Sequence, residues 1–268
     1  MRSPVVVGFD GSPSGLVAVE TAAREAERLG TGLRLTYVLS WPSAYLPPGV
    51  PPWDPEGAES RGRVTGPLDE AERRARRTAP GIAVTQDVLI GEPVPVLESE
   101  SRTASLTVVG SRPDTGAVGR LRGSVGRLRG SVARRLAAHG RCPVLVARGR
   151  PGPSGPVVLG DGTSPAAAEF AFAEAARRGA DLVAPRPRVH AARFRTALRA
   201  KYPGVVVRDR RTRDLAGRAL VEESAAAQLV VIGAGHGVVD MPRSWRARVL
   251  LNDARCPVAV VPAGRARP

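Results

Sequence analysis

The sequence predicts an α/β protein made of two tandem open parallel five-stranded sheets, each with helices on both faces. Three observations carry that prediction. Short apolar runs alternate with helix-length amphipathic stretches, the order expected of βαβ units. Hydrophobic residues make up 43% of the chain and aromatics 4%, so Val, Leu, Ile and Ala must form the core, as suits buried parallel strands under Ala-rich helices. The pattern also occurs twice.

Val5-Val6-Val7-Gly8-Phe9-Asp10-Gly11-Ser12-Pro13 returns as Val157-Val158-Leu159-Gly160-Asp161-Gly162-Thr163-Ser164-Pro165, with one residue lost before the Asp. Leu106-Thr107-Val108-Val109-Gly110 returns as Leu229-Val230-Val231-Ile232-Gly233, and Arg141-Cys142-Pro143-Val144 as Arg255-Cys256-Pro257-Val258. Three matches in the same order imply duplication. The Gly/Pro/Arg stretch 149–155 lies between the copies and reads as a linker, giving domains at 1–148 and 156–264.

In the first copy the strands fall near 4–9, 33–39, 83–90, 106–110 and 143–147, and the helices near 13–29, 67–78, 93–103 and 130–139. The first helix lines up Leu16, Val19, Ala23 and Ala26 on one face and leaves Arg24, Glu27 and Arg28 outside. Trp41 to Pro67 is too long and proline-rich for a simple connection. The second copy shortens this region to Ala184-Pro185-Arg186-Pro187-Arg188.

Ligands of open α/β sheets bind beyond the carboxyl ends of the strands, where the winding reverses. Two loops should meet there. The first carries Asp10-Gly11-Ser12, where Asp10 either contacts a ribose or base edge or, with Ser12, merely caps a helix. The second runs from Gly110-Ser111-Arg112-Pro113 to Gly123-Ser124-Val125. Glycine amides and a Ser hydroxyl at a helix start would suit phosphate, though an ordinary Gly-rich turn reads the same way.

These residues resemble the universal stress protein family. Its ATP-binding members have a strand ending in Asp, a late loop of form Gly-x-x-Gly-(nine)-Gly-Ser/Thr, and a last helix leading into a Cys-Pro-Val strand. Here the counterparts are Val7-Gly8-Phe9-Asp10, then Val109-Gly110-Ser111-Arg112, then Gly-Ser-Val, then Cys142-Pro143-Val144. The resemblance implies a Rossmann-like, adenine nucleotide alpha hydrolase-like fold with strand order 3-2-1-4-5 in each half. It also implies ATP as the ligand, with contacts carried over to Gly8, Phe9, Asp10, Val38, Val109, Gly110, Arg112 and the Gly-Ser-Val.

Two departures bear on that seat. Pro113 replaces the second glycine and removes an N–H. The segment 119–125 is repeated at once as 126–132, so Gly123-Ser124 and Gly130-Ser131-Val132 compete for one place. Forward spacing from Gly110 selects the first pair, and backward spacing from Cys142 selects the second. The insert either lengthens the final helix or loops out with its four arginines. The second copy keeps Asp161 but has no Gly-Ser pair at either spacing, so it reads as degenerate, with His236 a loop residue.

No Walker Gly-Lys-Ser/Thr, no Gly-x-Ser-x-Gly and no metal-ligand spacing of the three histidines occurs, so a dedicated hydrolase or kinase is not expected. Slow ATP turnover stays open. The strand-like start, the absence of an eighteen-residue apolar run and two cysteines in apolar runs point to the cytoplasm, with both thiols buried and no membrane partner. A formal charge of +15 reads first as a solvated surface attracting nucleic acid only non-specifically. Three functions remain: a nucleotide-responsive regulatory protein of the stress response, an interaction module without nucleotide, and a polyanion binder. The two last strands should be sheet edges that pair the halves within the chain. A homodimer and a protein partner are left open.

Overall fold

The computed structural model describes residues 3–39, 57–111, 132–148, 154–160, 164–187, 189–211, 218–234 and 241–263. The chain divides into two compact units, Met1–Gly110 and Ser111–Pro268.

In the first unit β1 (Val5–Phe9), α1 (Pro13–Leu29), β2 (Leu33–Leu39), α2 (Gly57–Thr78), β3 (Val84–Ile90), α3 (Pro93–Glu100) and β4 (Leu106–Gly110) alternate along the chain. Strand order is β3-β2-β1-β4 and every pairing is parallel, with Val5 facing Leu33 on one side and Leu106 on the other. Val5, Val6, Val7, Leu35 and Val108 are fully buried, as strands covered on both faces require.

Local chemistry sets the bounds of α1. The Ser12 hydroxyl accepts from the Gly15 amide at 3.1 Å, and Pro13 supplies a ready helical φ. Gly30 ends the helix at φ 61°. Val19, Ala23 and Ala26 lie buried as the periodicity predicts, joined by Ala18, Ala22 and Glu25. Glu25 sits at 3% exposure because the Arg28 guanidinium donates to it at 2.8 Å.

Two boundaries differ from expectation. Helix α2 starts at Gly57, ten residues before the predicted 67, with Pro67 inside it. Gly66 precedes that proline, and lacking a Cβ it avoids the clash that usually forbids helical backbone there. Helix α3 stops at Glu100, three residues short, because the Ser101 hydroxyl donates to the Glu98 carbonyl and closes the chain into turns.

The second unit holds α4 (Val132–His139), β5 (Val144–Ala147), β6 (Val157–Leu159), α5 (Pro165–Arg178), β7 (Leu182–Pro185), α6 (Val189–Lys201), β8 (Val207–Arg210), α7 (Arg218–Glu223), β9 (Leu229–Gly233), α8 (Met241–Asp253) and β10 (Val258–Val261). Its parallel strands run β8-β7-β6-β9-β10, the predicted 3-2-1-4-5. Val157 faces Leu182 and Leu229, as Val5 faces Leu33 and Leu106. The duplication thus extends to register.

On its other side β10 takes β5 antiparallel, Val258 opposite Val146, Ala259 opposite Leu145 and Val260 opposite Val144. Since Val144 and Val258 are equivalent in the repeat, this register is symmetric about the Leu145–Ala259 pair. Arg148, just past β5, donates to the carbonyls of Ala254 at 3.0 Å and Leu250 at 3.4 Å, at the end of α8. Cys142 and Cys256 are buried and not joined in a disulfide. Burial pushes the Cys256 thiol up to about 12.

Among the described residues no helix is long and apolar enough to cross a membrane, and no cluster of three His, Cys, Asp or Glu side chains could hold a metal.

Candidate functional site

Residues from the carboxyl ends of β1, β2 and β4 gather in the first unit. Gly8 faces Val109 on one side and Thr36 on the other, and Phe9 faces Tyr37, which sets Val38 one step further along β2. Gly8, Phe9, Val38, Val109 and Gly110 therefore border one stretch of the sheet's rim, with Asp10 emerging from its middle.

Each member has a structural reason for its identity. A Cβ on Gly8 would lie 2.6 Å from Leu97 Cδ1, so glycine is what lets α3 seat on that face. On Gly110 it would lie 2.7 Å from the Ser14 carbonyl oxygen, so the end of β4 approaches the first turn of α1 backbone to backbone. Phe9 is 6% exposed and packs edge-on against Tyr37, centroids 5.5 Å apart, so its ring is spent on the core. Only its main chain faces the rim. Val109 is buried and Val38 half-buried.

Asp10 is exposed. Its Oδ1 accepts from the Ser12 amide at 3.0 Å, a tight turn that Gly11 permits at φ 76°. Its other oxygen makes no hydrogen bond within the described residues. The capping and ligand readings are thereby divided between two side chains: Ser12 caps the helix, while Asp10 stays beside it with acceptor capacity to spare.

Sequence reasoning missed two contributors. The Ser14 hydroxyl lies 3.0 Å from that of Ser12. Gly15 matters because a Cβ there would lie 3.0 Å from Asp10 Oδ1. The only available signal was a glycine in a first helical turn, where helix propensity disfavours it.

The corresponding rim of the second copy differs at this point. Ser164 caps α5 by accepting from the Ala167 amide at 3.2 Å, and Gly160 accommodates Leu220 as Gly8 accommodates Leu97. Ala167 replaces Gly15, fully buried, and Gly233 lies against the Ser164 side chain, its missing Cβ 2.6 Å from that of Ser164. Ala167 thus sets a methyl group where the first copy has Gly15, while the serine cap is common to both.

Val132 starts α4 in the second compact unit and is half-buried there. Arg112, Pro113, Gly123, Ser124, Gly130, Ser131, Asp161 and His236 lie outside the described residues, so the competing Gly-Ser pairs stand as the sequence left them.

A family model described as the universal stress protein family matches residues 1–148. Universal stress protein Rv2623 of Mycobacterium tuberculosis is 33% identical over 267 residues, covering 85% of each chain. Universal stress protein Rv1996 of the same organism is 32% identical over 312 residues, covering 96% of this chain and 94% of its own. Among solved structures, a universal stress protein from Archaeoglobus fulgidus superposes with a TM-score of 0.72 at 16% identity, covering 98% of this chain and 97% of its own, a likeness of fold.

Proposed function

Because this chain belongs to the universal stress protein family, we propose that it is a regulatory protein of the stress response that binds ATP through its first domain. One observation carries this reading: an exposed Asp10 carboxylate, one oxygen of which accepts no hydrogen bond among the described residues, stands at the carboxyl end of β1, beside a glycine-lined approach of β4 to the start of α1. Amides of a helix start and of a glycine loop suit phosphate, and a free carboxylate oxygen suits ribose hydroxyls. Arg112 and one of the pairs Gly123-Ser124 or Gly130-Ser131, leading to Val132, would complete the phosphate seat. The second domain serves as a partner without nucleotide, since it has no Gly-Ser pair at either spacing and carries Ala167 where the first has Gly15.

We place the domains at 1–148 and 156–264 and read the symmetric β5–β10 register as the seam that pairs the two halves. The protein works in the cytoplasm and acts by binding, with at most slow turnover of ATP.

The test combines mass spectrometry of nucleotide carried through purification with thermal melting in added ATP. A ligand confined to the folded state raises Tm, by about 2.7 kcal/mol of stabilisation at a hundred times its Kd. The wild-type protein and Asp161→Ala should respond alike, and Asp10→Ala should respond less. Absence of any shift in millimolar ATP would leave the interaction-module reading in its place.

A further inference from the structure

Within the second copy, the net positive charge is concentrated in one segment. From Asp181 to Arg211 the sequence has nine Lys or Arg and two Asp, so 31 residues supply +7 of the formal +15. They form β7, α6 and β8, the outermost βαβ unit of the second copy, with β8 at the edge of its sheet. The matching unit of the first copy, residues 33–90, has seven basic and seven acidic residues. Two copies of one architecture have diverged from balance to strong excess at the same location.

Local pairing does not absorb the excess. Arg195 and Arg199 share the single carboxylate of Asp209, and Arg208 takes Asp181. Lys201 and Arg210 borrow Glu169 and Glu223 from neighbouring helices, the latter at 3.7 Å. Arg186, Arg193 and Arg211 are exposed and have no anionic partner among the described residues. The Arg186 amide donates to the Arg210 carbonyl at 2.8 Å, so Arg186, Arg210 and Arg211 stand together at the carboxyl ends of β7 and β8. Phe194, beside Arg193 on α6, leaves 36% of its surface in water.

Charged edge strands also guard against unwanted pairing. That role would be met by Arg208 and Arg210 alone, and it explains neither Arg193 nor the exposed ring on α6.

We propose that the β7-α6-β8 edge of the second copy is a docking surface for single-stranded nucleic acid. Arg186, Arg193 and Arg211 meet backbone phosphates, and the Phe194 ring offers a stacking platform for a base. This does not depend on the ATP reading, since none of these residues belongs to the Asp10 rim.

The test is fluorescence anisotropy of a labelled oligo-dT of about 12 nucleotides, within the range one such surface spans, against the full-length protein at several salt concentrations. A triple variant, R186Q/R193Q/R211Q, is compared with R102Q/R248Q/R255Q, which removes the same charge from exposed arginines elsewhere. Thermal melting checks that both fold. The edge variant should lose at least tenfold in affinity, and its salt slope should fall by about 2, at roughly 0.7 per phosphate contact. The control should stay within about twofold, and Phe194→Ala should weaken binding severalfold without changing the salt slope, as loss of stacking would. Equal losses in the two triple variants would reduce the effect to diffuse charge and overturn the proposal. So would the absence of binding at low salt, or equally tight binding of duplex DNA with Phe194→Ala unaffected.

Discussion

Thr36 has a hydroxyl buried in β2 with no hydrogen-bond partner among the described residues, next to Gly8 and under the α3 face of the sheet. Burying a hydroxyl unpaired costs about 1–3 kcal/mol, whereas a methyl of similar shape costs nothing there. Thr36→Val should therefore stabilise the protein by about 1 kcal/mol, seen as a higher urea midpoint at unchanged slope. A lower midpoint would mean that the hydroxyl does have a partner. The Cys256 thiol makes the opposite argument, because burial favours its neutral form and lifts it to about 12. Its contribution to stability is complete below the ordinary thiol range near 9 and is lost as pH rises from there towards 12. At pH 8 Cys256 should resist a thiol reagent in the folded protein and react at once in denaturant. Rapid labelling of the native state would show that the chain leading into β10 opens locally.

At the level of elements, the sequence was most legible where chemistry is local. Ser12-Pro13 and Gly30 mark both ends of α1, and the valine runs mark the strands to within a residue. Pro67 misled because a proline ordinarily starts or breaks a helix, and only the glycine before it shows why α2 runs through. Close approach of backbones was not legible either, since it depends on which elements meet. Gly110 is the case in point: the Ser14 carbonyl it faces is main chain of a capped helix and cannot swing aside. Gly110→Ala should push β4 off α1, costing about 1–3 kcal/mol as overpacking does, and should blunt any response to ATP. By contrast Ser12→Ala should cost about 1 kcal/mol through the lost cap. It should leave ligand binding intact if Asp10 is the contact. If both variants lost the ATP response equally, helix stability and not the rim would control it.

For the whole chain, register repeats between the copies while charge does not, and the two have different origins. Register follows from which valines must be buried, so duplication preserves it; surface charge is free to drift once the core is kept. A formal +15 then acts on stability as a whole. Attractive pairs such as Arg74–Glu20 at 3.0 Å and Arg76–Glu72 at 2.6 Å are in direct contact, and each is worth at most about 1 kcal/mol on the surface. Repulsion among the unpaired arginines acts over tens of ångströms. Raising salt from 0.01 to 0.1 M shortens the screening length from about 30 to about 10 Å. That removes most long-range repulsion while leaving contact pairs only partly weakened. The melting temperature should accordingly rise across this range, and more so in the wild type than in either triple arginine variant, from which part of the repulsion has been removed. A melting temperature that fell with salt would show that the short ion pairs outweigh the net charge in holding the fold.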